Sequence, residues 1–427
     1  MTTAAPPLAP VDRNRALGGL LAASAIWLSA FLSGFVINEP APYELFMVGL
    51  VGIWFLCGLR LPAAIMPLTV LLIVFNIGGV ISMMTMADWQ EAPLYLAVGF
   101  FLAFTAIFFA AVIAADWRRL NVIMNGYLTA AVLTGFLGIV GYFGLLPGAE
   151  IFTRYGRAMG AFQDPNVFAP FLALPTIWCL HGVLTRPLRG ALWRLPLLAV
   201  LVLALFLSFS RAGWGLFVVC ALLLTMTLLI ASPTPAFRLR VLALSVAASV
   251  AIVIALGIAL QIDTVREMLA ERARLVQDYD AGQGGRFSNQ VLGLFKATEH
   301  PFGIGPLEFG RRFGTDTHNI WLKALFDYSW LGFAAYVTLV FWTLGAGLRI
   351  ALRDRPWQPV LICALVVFFG HMLVGNVIDT DRWRHLYLIM GIIWGCIALE
   401  ARHQRAQAPS PTPQAHHGAP RAASTYA

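Results

Sequence analysis

Three features of the sequence predict an all-α protein that crosses a membrane many times. Hydrophobic residues make up 59% of the 427 and charged residues only 12%, where a soluble domain carries about 25% charged. The mean hydropathy is +0.77. The apolar residues also fall in runs of roughly 17–25, the length an α-helix needs to cross about 30 Å of hydrocarbon. A helix meets its backbone hydrogen-bonding needs internally, which lipid requires of any spanning segment.

Reading the runs in order places spans near 16–37, 43–59, 62–84, 93–115, 121–145, 167–184, 191–208, 212–231, 239–261, 331–350, 358–376 and 384–401, about twelve in all. The run beginning near Ala16 is too long for the apolar part of a signal peptide and lacks a clear cleavage site, so it reads as a retained first span. The expected organisation is an N-terminal segment 1–15, helices one to nine over 16–261, a large loop over 262–330, helices ten to twelve over 331–403, and a Pro/Ala/His-rich disordered tail over 404–427. Cys57, Cys179, Cys220, Cys363 and Cys396 lie in or beside apolar runs. No CxxC pair occurs, so neither a disulfide framework nor a zinc site is indicated.

Charge then fixes sidedness. With twelve spans both termini lie on one side, and that side carries 16 of the 29 basic residues but 4 of the 21 acidic ones. The positive-inside rule puts both termini in the cytoplasm and the 262–330 loop outside. Moving one central span would scramble this segregation. The net charge of +8 is thus accounted for by topology. The basic residues are scattered over short turns without a basic domain, which gives no reason to expect a nucleic-acid partner.

The informative arginines are those on the outer side. Arg154 and Arg157 lie in Thr153-Arg154-Tyr155-Gly156-Arg157, Arg211 in Ser208-Phe209-Ser210-Arg211, Arg286 after Gly284-Gly285, Arg311 and Arg312 ahead of His318, and Arg382 and Arg384 in the last outer turn. Arg211 stands out because a charge in so tight a turn is held at the membrane face, where burial without a partner is expensive. Guanidinium forks suit phosphate oxygens, and several converging would bind a pyrophosphate. The plainer reading pairs these arginines with Asp164, Asp278, Asp280, Asp379 or Asp381, or lets them snorkel to lipid headgroups.

Gly160-Ala161-Phe162-Gln163-Asp164-Pro165-Asn166 reads as a loop entering a helix, with Asp164 or Asn166 able to cap it. Such a helix start is either structural or aimed at an anionic group. Within the large loop, Gln261 to Tyr279 is charged and helical in pattern, an extension of the ninth span into solvent. Ala281 to Gly285 is a flexible break. Arg286 to Glu299 is amphipathic, with Phe287, Val291, Leu294 and Phe295 on one face, as expected of a helix lying on the bilayer or capping a cavity. His318-Asn319 follows, and the segment to Trp330 is helical in pattern. An imidazole titrates near ~6.5 when unperturbed and suits a general base at neutral pH. Asn319 could orient the ring or a sugar hydroxyl, or the two residues could simply cap the next helix. His300 and His371 are weaker candidates. Asp316 either orients His318 or caps a turn.

These motifs together resemble the O-antigen ligase and Wzy O-antigen polymerase family. The resemblance rests on Gly160 to Asn166, Ser208 to Arg211, Arg286, His300-Pro301-Phe302-Gly303-Ile304-Gly305, and His318-Asn319 followed by Gly332, in the family's order over about 157–335. One departure is visible. Relatives carry two glycines three residues apart after the His-Asn pair, and here the first falls on Ser329, which puts helix packing there in question. The resemblance implies a GT-C-like fold and inverting transfer of a glycan from an undecaprenyl-pyrophosphate donor on the periplasmic face of a bacterial inner membrane. The acceptor would be lipid A core, for a ligase, or a second lipid-linked glycan, for a polymerase. It implies His318 and Arg211 as catalytic residues, with Arg157, Arg154, Arg286, Arg312, Asn319, Asp164 and Asn166 binding substrate, and no metal or other cofactor. A competing reading is a transporter or flippase of lipid-linked oligosaccharides, which would place ionisable residues deep in several spans and broken helices in two matching halves. The charges here sit at span ends and no such repeat is visible.

Overall fold

The computed structural model describes residues 10–58, 60–89, 91–232, 234–272 and 285–407. Apart from one short hairpin the regular structure is helical, and the described chain is an all-α polytopic membrane protein. The helices are α1 Pro10–Leu32, α2 Pro42–Leu56, α3 Met66–Met83, α4 Ala92–Ala115, α5 Arg119–Tyr142, α6 Pro165–Thr185, α7 Leu188–Leu192, α8 Leu195–Leu207, α9 Arg211–Ile230, α10 Pro235–Ala259, α11 Asp263–Arg272, α12 Arg286–Glu299, α13 Glu308–Phe313, α14 Ile320–Asp327, α15 Ser329–Ala351, α16 Gln358–Val374 and α17 Arg384–Gln407. Among the described residues ten helical segments are long and apolar enough to cross a membrane. The other two expected spans are the shorter apolar helices α2 and α16. Proline occupies one of the first two positions of α2, α3, α4, α6, α8, α10 and α16. Its missing N–H costs nothing there, because the first-turn N–H groups lack helical partners anyway.

The bundle is built around α6. Its spanning window is 94% buried, against 6% for α10 at the periphery. Pro170 and Pro175 sit inside α6 and are tolerated because the helix is enclosed by protein, which offers other partners to freed backbone groups. α17 packs on α4, α15 on α3, α1 on α5, and α9 on both α6 and α16. Small residues allow the closest of these approaches. A Cβ added at Gly78 on α3 would lie 2.2 Å from the carbonyl oxygen of Tyr328 and 2.6 Å from the backbone nitrogen of Gly332.

The long loop differs from the sequence expectation at its start. α10 stops at Ala259, where the apolar run ends, and α11 begins separately at Asp263 after a turn. Residues 273–284 lie outside the described residues, and with them all but Gly285 of the break expected at 281–285. α12 presents Phe287, Val291, Leu294 and Phe295 outward, the pattern of a helix lying in a bilayer interface. The residues expected as one helix from Asn319 to Trp330 form α14 and the start of α15, divided at Tyr328. At the other end, 404–407, expected as tail, continue α17.

The loop is fastened to α3. Ser82 Oγ donates to the carbonyl of Phe326 at 2.5 Å and accepts from the N–H of Gly305 at 2.9 Å. Gly303 has φ +79°, and a Cβ there would stand 2.2 Å from Ser82 Oγ. The His300 to Gly305 motif is therefore a clasp between loop and bundle.

Ser329, where the family resemblance leads to an expectation of glycine, has φ +60°. It is buried, and its Oγ lacks a hydrogen-bond partner among the described residues. An L-residue in this conformation costs about 1–2 kcal/mol relative to right-handed backbone. Ser329→Gly is expected to raise the thermal midpoint of the purified protein by a few degrees. An unchanged or lower midpoint would show that the serine is not strained.

Candidate functional site

Two tight connections bring the site together. A hairpin pairs β1 Thr153–Arg154 with β2 Arg157–Ala158. Its two turn residues, Tyr155 and Gly156, both have positive φ, at +53° and +67°, as a two-residue type I′ turn requires. Between α8 and α9 the chain reverses through Phe209, at φ +46°. The Phe209 side chain is buried with ring centroids about 6 Å from those of Phe206, Trp214 and Tyr142. That anchor sets Ser210 as N-cap, its Oγ accepting from the N–H of Gly213 at 3.2 Å, and places Arg211 on the first turn of α9.

Arg157 joins the two connections. It is buried. Its Nε donates to the carbonyl of Ser208 at 2.7 Å, and its Nη2 donates to Asn166 Oδ1 at 2.8 Å. Asp164 caps α6, its Oδ1 accepting from the N–H of Asn166 at 2.7 Å. The first turns of two long helices, α6 and α9, thus open side by side.

They open onto a cavity of about 580 Å³, lined by Arg157, Asp164, Asn166, Val167, Phe209, Arg211, Ala212, Arg272, Phe287, His318, Val377, Ile378, Asp379 and Trp383. Three guanidiniums and an imidazole meet two carboxylates there. Unpaired N–H groups and the macrodipole make each helix start receptive to anions. The Nε of Arg272 is buried without a hydrogen-bond partner among the described residues.

His318 supplies the opposite wall. Its backbone is left-handed, φ +47°. Backbone strain of this kind concentrates at functional sites. Nδ1 lies 3.6 Å from Asp379 Oδ2. Burial works against the charge of Asp379, but the neighbouring His318, the Lys323 ammonium and the Asn319 N–H outweigh it and hold the carboxyl below its usual range. With Nδ1 turned to Asp379, Nε2 is the nitrogen left for a ligand.

Behind this wall lies a buried polar cluster. Lys323 Nζ is 3.2 Å from Asp327 Oδ2 and 3.9 Å from Asp316 Oδ2. Tyr95 and Tyr328 both donate to Asp381 Oδ2. Burial opposes the charge on Lys323, but Asp327, Asp381, Asp379 and Asp316 outweigh it and raise the ammonium well above its usual value. Burial also pushes the Asp327 carboxyl up to about 7, Lys323 pulling it down and Asp381 and Asp316 adding to the rise.

The sequence expectations fall into three groups. Arg157, Arg211, Asp164, Asn166 and His318 line one cavity. Arg154, Asn319 and Arg312 are placed outside its lining. Arg154 donates to the carbonyl of Gln163 at 2.8 Å and lies over Tyr155. Asn319 caps α14, its Oδ1 accepting from the N–H groups of Trp321 and Leu322. Arg312 pairs with Glu308 at 2.9 Å. The backbone of Arg286 opens α12, and its side chain lies outside the described residues. Of the other outer arginines, Arg311 also pairs with Glu308, Arg384 pairs with Glu39 and Glu44, and Arg382 lies over the Tyr95 ring at 4.2 Å. Asp379, Trp383 and Arg272 were not singled out as site residues. Only the position of Asp379 and Trp383 in the last outer turn could have pointed to them.

Residues 196–337 match the family model described as O-antigen ligase (Wzy_C). No curated protein matches the chain. The matched segment runs from the start of α8 into α15 and contains Arg211, Arg272, Phe287 and His318. Arg157, Asp164, Asn166, Asp379 and Trp383 come to the same cavity from outside it.

The Asp327 carboxyl gives a stability prediction. An unfolded aspartate titrates near ~3.9, so between that pH and about 7 the folded protein holds a proton that the unfolded chain lacks. Stability from this group therefore falls as pH rises through that window. Thermal unfolding measured from pH 4.5 to 7.5 should decline less steeply in Asp327→Asn than in the wild type. Identical slopes would rule out the raised carboxyl.

Proposed function

We propose that this protein transfers a glycan from an undecaprenyl-pyrophosphate donor to an acceptor hydroxyl at the periplasmic face of the inner membrane. The observation that carries the proposal is the convergence of Arg157, Arg211, Arg272 and the His318–Asp379 pair on one cavity. The O-antigen ligase match over part of that cavity supports it. So does the excess of basic residues on the other side of the membrane.

The pyrophosphate leaving group is already a weak base and needs no general acid. It needs charge neutralisation, which preorganised guanidiniums and two helix N-termini supply. Arg211 meets the pyrophosphate, and Arg157 holds the turn that presents Arg211. His318, oriented by Asp379, takes the acceptor hydroxyl proton on Nε2. The acceptor oxygen forms a bond to the anomeric carbon as the bond from that carbon to the phosphate oxygen breaks. In-line attack inverts the centre, and undecaprenyl pyrophosphate leaves with the electron pair. The proton on His318 then passes to solvent.

His318→Ala and Arg211→Ala are each expected to lower transfer about 10²–10³-fold, read as surface polysaccharide on a gel with protein levels matched. Wild-type glycan from either variant at normal abundance would reject the assignment. Asp379→Asn should lower the rate and move the acid limb of the pH–rate profile to lower pH, because an amide no longer favours the imidazolium. An unmoved limb would leave Asp379 a purely structural role. The acceptor is read from a strain lacking the protein: bare lipid A core indicates a ligase, and core carrying a single repeat indicates a polymerase.

A further inference from the structure

A second cavity, of about 480 Å³, lies at the opposite end of the bundle, with Asp116, Trp117, Arg118, Trp357, Arg402 and His403 in its lining. Its depth follows from α17. That helix starts at Arg384, beside Trp383 in the wall of the first cavity. A rise of about 1.5 Å per residue places His403 roughly 28 Å further on, close to the ~30 Å thickness of the hydrocarbon core. The two cavities therefore stand at opposite headgroup layers. Trp117 and Trp357 in the second fit this depth, since tryptophan favours the membrane–water boundary.

The chemistry of the second cavity is cationic. Arg118 lies over the Trp117 ring at 5.7 Å. Arg402 Nη1 donates to the carbonyls of Ala114 and Ala115, at the end of α4, at 3.4 and 3.3 Å, which sets its position while leaving Nε and Nη2 for a ligand. Asp116, the acid in the lining, accepts the backbone N–H of Arg118 at 3.0 Å. Among the described residues neither guanidinium forms an ion pair. The nearby Arg353 and Arg355 behave differently, both pairing with Glu400, at 2.7 and 2.8 Å. Two guanidiniums that form no ion pair among the described residues, on aromatic and carbonyl supports, at headgroup depth and beside a histidine, match a phosphodiester oxygen set.

We propose that this cavity binds the phosphate of an anionic phospholipid from the leaflet that carries the chain's basic turns. The acyl chains stay in the bilayer, and the headgroup seats between the ends of α4 and α17 and the start of α16. The site is separate from the transfer cavity, and the proposal does not depend on the reaction.

Native mass spectrometry of the full-length protein tests it, with phosphatidylglycerol or phosphatidylcholine added to the micelles. The wild type should retain phosphatidylglycerol in preference to phosphatidylcholine. Arg118→Gln/Arg402→Gln should cut that retention at least fivefold, and Arg238→Gln, in the first turn of α10, should leave it intact. The single variant Arg118→Gln, which removes no backbone contact of the guanidinium, keeps the test open if the double variant unfolds. Millimolar inorganic phosphate distinguishes the sources of the group: retention unaffected by it assigns the site to the lipid, and displacement shows that phosphate alone suffices and overturns the lipid assignment. Equal retention of the two lipids, or equal retention by wild type and Arg118→Gln, would overturn the proposal.

Discussion

The guanidinium of Arg157 joins segments that are distant in the chain. It sits on the hairpin, donates to Asn166 at the start of α6, and donates to the Ser208 carbonyl in the turn that precedes Arg211. A buried charge of this kind is costly unless its donors are satisfied. The chain meets that condition with a carbonyl that the α8–α9 reversal leaves outside any helix and a side-chain amide oxygen at a helix start. Losing the contact would strand polar groups on three elements at once. The positions of Arg211, the α6 N-terminus and the hairpin are therefore one structural fact rather than three.

The opposite wall is built on a similar principle with acids in place of carbonyls. His318, Asp379, Lys323, Asp327, Asp316, Asp381 and two tyrosines form a continuous polar body between α14, α4 and the turn before α17. Lys323 is the cation that lets so many carboxylates share a small buried volume, and the raised Asp327 carboxyl shows that its compensation is incomplete. A charge set of this sort lies behind the imidazole and the arginines lie in front of it. The cavity is thus divided between a wall that carries guanidiniums and a wall that sets an imidazole against a carboxylate.

How much of this was legible in the sequence differs by level. Spans were readable because lipid imposes length and composition on every crossing helix, and the twelve apolar runs correspond to ten long helices and two short ones. Outward arginines were visible as exceptions to a charge rule, yet that rule does not say which of them face a ligand. Arg311 and Arg312 found Glu308 one helical turn away, while Arg384 found Glu39 and Glu44 from the far end of the chain and Arg157 and Arg211 reached the cavity, outcomes that depend on three-dimensional neighbours. Asn319 read as a cap from its spacing and as a substrate contact from the family resemblance, and the structure places it as a cap. Asp379 went unassigned as a site residue because it reaches His318 from some sixty residues away in sequence, across α15 and α16. The glycine missing at Ser329 was visible, but its consequence, a serine in left-handed backbone rather than a lost helix contact, needed the Gly78–Gly332 approach to be seen.

The shortness of α16 has a geometric consequence for that cavity. Its 17 residues rise roughly 26 Å, less than the hydrocarbon thickness, and Trp357 holds its lower end at the headgroup layer beside Arg402. The shortfall therefore falls at the other end, where Val374 gives way to the turn bearing Val377, Ile378, Asp379 and Trp383. The floor of the cavity is thus set by the length of α16, a buried helix that rises about 4 Å less than the ~30 Å of hydrocarbon, and not by the loop that lies over it.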